Sequence, residues 1–111
     1  MLTLMLGCCL LAPADTVFAV TIRTGPAWDQ SRPPAEQAHF RTHSRNLFKL
    51  RQEGRIVLGG RYGDVGLILV RAANEAEARA LFAADSSIAR GVFRAEFQVW
   101  RTIFEGAVAV P

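Results

Sequence analysis

Four consecutive apolar residues, Leu67, Ile68, Leu69 and Val70, stand between Gly66 and Arg71 with no polar residue among them. A run that short, closed by a glycine and a charge, reads as a strand over Gly66 to Arg71. A strand that does not alternate is one buried on both faces. The chain has 111 residues and so has room for one hydrophobic core. It must place this strand inside a sheet and cover both sides of it. Hydrophobic residues make up 50% of the chain and charged residues 21%, which is globular usage and excludes a disordered or coiled-coil chain.

The remaining elements follow from period and punctuation. From Val17 to Arg23 the residues Phe18, Val20 and Ile22 alternate with Ala19, Thr21 and Arg23, a first strand. Thr24-Gly25-Pro26 breaks it, and Trp28-Asp29-Gln30-Ser31 reads as a loop. Pro33 and Pro34 suit a first helical turn, which predicts a helix from there to Glu53, with Gly54 after its end. Phe40, His43, Leu47 and Leu50 share one stripe of that helix, while Arg41, Arg45 and Lys49 lie on the solvated side. Arg55 to Gly60 is a second strand, and the Tyr62-Gly63-Asp64 turn joins it to the third as a hairpin. Asn74 and Glu77 form a capping pair that opens a second helix reaching Asp85, with Ala76, Ala80, Leu81 and Ala84 expected inside. Ser86 to Arg90 allows one further turn. Val92 to Phe104 is a long fourth strand, with Phe93, Ala95, Phe97 and Val99 alternating against Arg94, Glu96 and Gln98.

The order is βαββαβ, an α+β chain of the ferredoxin-like type, in which both helices cover one face of a four-stranded antiparallel sheet. The other face is left bare beneath a strand that is apolar on both sides. In so short a chain a second copy is the simplest cover, which predicts a homodimer joined through the sheet face.

All but one of the 13 basic residues are arginine, and they are spread from Arg23 to Arg101, giving a net charge of +3. Nucleic-acid binding would call for a clustered patch, so no nucleic acid is expected as a partner, whereas a small anionic ligand is compatible with the charge. Leu2 to Leu11 is too short an apolar run to span a bilayer, so no stable membrane anchor is expected. With Ala12-Pro13-Ala14 as a cleavage pattern, residues 1–14 are expected to be a signal peptide that directs export to the periplasm or beyond. No Lys or Arg precedes the run, which leaves open a misassigned start and a cytoplasmic protein. Cys8 and Cys9 both fall in this segment, so a disulfide framework or thiolate metal site is not expected in the domain.

His43 does not fit its apolar stripe, because a buried imidazole needs a partner. Asp85, at the end of the neighbouring helix, is the candidate, since a carboxylate can orient and charge-stabilise a histidine. Periodicity alone favours a core histidine satisfied by whatever lies near. His39 and His43 have an i, i+4 spacing used by some metal sites, but no Glu follows the first His, and metal binding is not expected. Gly59, Gly60 and Gly63 do not form a phosphate-binding fingerprint, and no G-x-S-x-G supplies a nucleophilic serine. Trp28 and Tyr62 are loop aromatics of a kind that can flank a ligand, though packing is the commoner role of such residues.

These residues together, His43-Ser-Arg-Asn-Leu-Phe-Lys-Leu-Arg-Gln-Glu-Gly54, Ile56-Val-Leu-Gly-Gly60 and Ala84-Asp-Ser-Ser-Ile-Ala-Arg-Gly-Val-Phe93, with Gly25-Pro-Ala-Trp-Asp29 before them, resemble the YCII-related domain family from Val17 to Phe104. The resemblance implies a dimeric α/β barrel of two ferredoxin-like subunits. It also implies a pocket whose His and Asp, matching His43 and Asp85, form a catalytic pair. The chain departs from the family at Ser86 and Arg61, both of which replace a usual proline. Arg61 would reshape the pocket mouth or supply a positive charge to an anionic substrate, and Trp28 joins it as an expected substrate-binding residue. Two functions are thereby expected. One is a cofactor-independent lyase, isomerase or hydrolase acting on a small molecule through His43 and Asp85. The other is a non-catalytic ligand-binding or interaction module in which the pair only satisfies itself.

Overall fold

The structure, a computed structural model, describes residues 15–108. The expected signal segment lies outside them. Four strands, β1 (Thr16–Thr24), β2 (Ile56–Tyr62), β3 (Val65–Ala72) and β4 (Phe93–Val99), form one sheet in the order β2-β3-β1-β4, with every neighbouring pair antiparallel. Three helices accompany them, α1 (Phe40–Gln52), α2 (Glu75–Ala80) and the single turn α3 (Ser86–Ala89). The chain is thus α+β, as its periodicities predict, and its arrangement is compatible with a ferredoxin-like fold.

Alternation decides which side of the sheet is core. Phe18, Val20 and Ile22 of β1 and Ile68, Val70 and Ala72 of β3 point to the helices and meet Leu50 of α1, Ala78 of α2 and Phe82 beyond it. Burying a side chain the size of Phe82 stabilises the fold by roughly 1.5 to 3 kcal/mol. On the other face Leu69 stands between Leu58 and Ala19 in the register. β3 is therefore apolar on both sides, as the unbroken run requires.

Several boundaries differ from the sequence reading. Pro34–Glu36 makes only one 3-10 turn, and α1 begins at Phe40. The interruption has two causes. Gln37, 5% exposed, turns its side chain back to accept from the Asp29 N–H and to donate to the Asp29 and Arg32 carbonyls. His39 then takes a left-handed backbone, φ 64°, which no helix continues through. α2 stops at Ala80 and does not reach Asp85. Ala76, Ala80 and Ala84 are exposed, and the inner stripe is Ala78, Leu81 and Phe82, since the larger apolar side chains fix which way the segment faces. β2 carries a bulge between Ile56 and Leu58, extends through Tyr62, and leaves the turn to Gly63 and Asp64. β4 ends at Val99, short of Phe104. Its last bond, from the Trp100 N–H to the Val17 carbonyl, uses up a partner strand that starts at Thr16.

The loop after β1 is strapped to the turn before β4. The Gly25 N–H donates to the Val92 carbonyl and the Ala27 N–H to the Gly91 carbonyl, both at 2.8 Å. A Cβ on Gly25 would collide with the Gly91 carbonyl, backbone against backbone, whereas one on Gly60 meets nothing within 4 Å. Gly25→Ala is expected to lower stability by about 2 kcal/mol or more, and Gly60→Ala to change it by less than about 1 kcal/mol. Urea unfolding of the two variants beside the wild type checks the contrast.

Candidate functional site

α1 presents His43 to the interior one turn after its start, and Asp85 sits at the N-cap of α3. The carboxylate caps that turn from within. Its Oδ1 accepts the Ser87 N–H at 3.0 Å and the Ser87 hydroxyl at 2.6 Å, and its Oδ2 lies 2.6 Å from His43 Nδ1. Asp85 is 0% exposed and His43 7%. Burial alone pushes the Asp85 carboxyl up, but the hydrogen bonds from His43 and Ser87 outweigh it and hold the group below its ordinary value of 3.8. The ionised carboxylate only accepts, so the neutral His43 ring carries its proton on Nδ1 and leaves a lone pair on Nε2. Nε2 has no hydrogen-bond partner among the described residues. Because no buried side-chain nitrogen or oxygen among the described residues lacks a partner, Nε2 is the accessible end of the ring.

Aromatic rings hold the imidazole in place. Phe93 lies 4.7 Å from it between centroids and Phe40 6.3 Å, and Trp28 packs on the far side of Phe93 at 5.5 Å. A second tether runs parallel to the first, from His39 Nδ1 to the Ser86 hydroxyl at 2.8 Å. Each histidine thus faces its own partner on the α3 turn. Among the described residues no group of three or more His, Cys, Asp or Glu side chains gathers as a metal-binding set.

His43 opens onto a cavity of about 560 Å³ between α1 and the helix side of the sheet. Trp28 and Arg61 line it too, so three of the four expected site residues share one space. Asp85 does not line it and stands behind His43. Any contact it has with a ligand's chemistry is through the imidazole, which makes it a positioning residue. Tyr62 is exposed and lies outside the lining. Arg61 pairs with Gly66 in the register, on the side of the sheet where Gly66 faces Ile22, and has no ion-pair partner among the described residues. Arg23 also touches the cavity, but its guanidinium is engaged by Glu96 at 3.2 Å.

The sequence alone gives no site role to three further contributors. Ser87 supplies both donors that Asp85 Oδ1 accepts, and the Asp-Ser-Ser run is the signal for it, a side chain bonding two residues ahead at a helix start. Phe93 reads only as an alternating strand residue, and its wall function appears when β4 passes under α1. Gln37 carries no local signal at all. Compared with known protein families, with curated proteins and with solved structures, the chain matches none.

Because the Asp85 carboxyl is held low in the folded chain, its contribution to stability is fully present above pH 3.8 and is lost as pH falls through the folded value. Asp85→Ala is expected to cost about 2 to 4 kcal/mol near neutrality, since it strands the Ser87 donors and the His43 Nδ1–H. The deficit relative to wild type should shrink in acid, and denaturant unfolding from pH 7 to pH 3 measures both.

Proposed function

We propose that this chain is a YCII-related protein and a cofactor-independent acid–base enzyme of the lyase, isomerase or hydrolase type, working on a small molecule in the His43 cavity. The observation that carries this reading is the division of the imidazole, with Nδ1 committed to a buried carboxylate and Nε2 bare toward a cavity. That is the form a general base needs at neutral pH. Nε2 takes a proton from the substrate, and Asp85 stabilises the imidazolium that results. The same proton then returns to a different atom of the substrate or to a departing group. Arg61 and Trp28 are the substrate-binding residues of the proposal.

We further propose that two such subunits pair through the open sheet face as a dimeric α/β barrel. Leu58 and Tyr62 are exposed there, and the tail after β4 leaves Ile103 84% and Phe104 90% exposed. The β1–β4 side of the same face carries Arg23 and Arg94 on either side of Glu96, a solvated cluster of little value to a lone subunit. Light scattering is expected to give a dimer, which Leu58→Asp converts to monomer. Phe48→Asp, a change at a still more exposed apolar residue on α1, should leave the dimer intact.

A second reading rests on the complete burial of Asp85, which would equally suit a pair that only ties α1 to α3. One substitution separates the two. In Asp85→Asn the carboxamide nitrogen donates to Nδ1, which drives the ring proton onto Nε2 and removes the base while keeping the packing. A panel of small hydroxy and keto acids incubated with the protein in deuterated water, read by proton NMR, is expected to show exchange or turnover. Asp85→Asn and His43→Gln should each lower it by about 10²-fold or more. Absence of exchange across the panel, with a Nε2 that resists acylation in the folded protein, overturns the enzyme and leaves the structural pair.

A further inference from the structure

The cavity has a floor with two side chains missing. Gly59 and Gly66 face it from adjacent strands, and a Cβ on Gly59 meets only the Leu67 carbonyl oxygen, at 3.9 Å. Nothing in the backbone compels glycine at either position, since neither has a positive φ. What their bareness does is leave peptide planes exposed as a flat surface. The adjoining wall is aromatic, with Trp28 against Phe93 and Phe93 against the His43 ring. A space of about 560 Å³ is generous for a water cluster and suited to one small ring system. At its mouth stands one cation, Arg61, on the cavity side of β2, exposed and without an ion-pair partner among the described residues.

Planar apolar walls and one forked cation select for a shape and a charge together. A flat ring gains from aromatic contact and from lying on bare peptide planes, where a puckered ring of the same size touches less. A guanidinium at the rim binds a carboxylate through two parallel hydrogen bonds. Asp64, also on the lining, is the opposing charge; it repels a second acidic group and accepts from a hydroxyl. We infer that the cavity binds a planar, ring-bearing monoanion, an aromatic or unsaturated cyclic carboxylic acid, with its ring inside against the Trp28–Phe93 wall and its acid group on Arg61. This deepens the proposed function by naming the substrate class of the same site, and rests on that reading only for the step that follows binding.

The test is binding of simple probes by the full chain, measured by calorimetry and by NMR at the Trp28 indole. Benzoate is expected to bind, with acetate and benzyl alcohol each weaker by about tenfold or more. Cyclohexanecarboxylate should be weaker than benzoate by about threefold. Arg61→Gln should weaken benzoate about tenfold and leave benzyl alcohol unchanged. Gly59→Val, which has room for its side chain, should abolish both by filling the slot. Equal binding of benzoate, cyclohexanecarboxylate and acetate, indifference to Arg61→Gln, or benzoate shifts at Trp100 in place of Trp28 would overturn the assignment. Binding of benzoate that persists in His43→Gln upholds the ligand class whether or not proton exchange is found, so failure of the ligand class and failure of the catalytic reading give different results.

Discussion

The hydrogen bond between His43 and Asp85 sets the terms for everything around it. A carboxylate with no exposure is costly to bury, and this one is tolerated because all its charge is answered locally, by two donors from Ser87 and one from the imidazole. Those donors belong to two different helices. The fold must therefore bring the start of α1 and the start of α3 to within one side chain of each other, and the His39–Ser86 contact repeats the requirement one turn earlier. The imidazole in turn rests on Phe93, which ties β4 into the same cluster. A single charge thus fixes the meeting of two helices and a strand, and the cavity is the space left beside that junction.

Most of the fold was legible in the chain because its signals are local. Phe18, Val20 and Ile22 alternate as a strand must, Leu67 to Val70 do not, and the second fact sets β3 inside the sheet, whereas the central place of β1 appears only in the structure. His43 was legible as a contradiction, a polar ring on an apolar stripe, and Asp85 as its answer once the helix order was known. What could not be read lies in interactions between distant residues. Gln37 anchors the loop that carries Trp28, yet nothing in its neighbours marks it as different from any surface glutamine. The left-handed turn at His39 follows two residues later, so the prolines before it introduce a helix that they do not begin. The alanines of α2 misled for another reason. A methyl group buries so little area that Leu81 and Phe82 outvote three of them.

The site combines a firm back with an undemanding front. Behind His43 every polar atom is satisfied and the packing is aromatic, so the imidazole has one orientation available to it. In front, Gly59 and Gly66 give up the side chains that would have completed the core, leaving Ile22 and Ile68 to border a hollow in place of close neighbours. Strand glycines weaken a sheet, so this hollow is a loss of stability that the fold carries without any backbone need for glycine there. The loop strapped at Gly25 and Gly91 closes the remaining side, held by main-chain bonds to the segment that leaves α3 and by the Gln37 side chain.

The bulge at Val57 reaches further than its size suggests. Ile56 faces the core, and in an unbroken strand Leu58, Gly60 and Tyr62 would follow it there while Arg61 faced away. One additional residue reverses the parity. It turns Leu58 and Tyr62 out to the open face, sets Gly59 beneath the helices as bare floor, and swings Arg61 to the rim of the cavity. The polarity of the pocket and the greasiness of the opposite surface therefore both depend on one bulge. Deleting Val57 would leave every one of these facings as it is, whereas straightening the strand with Val57 kept would exchange them all.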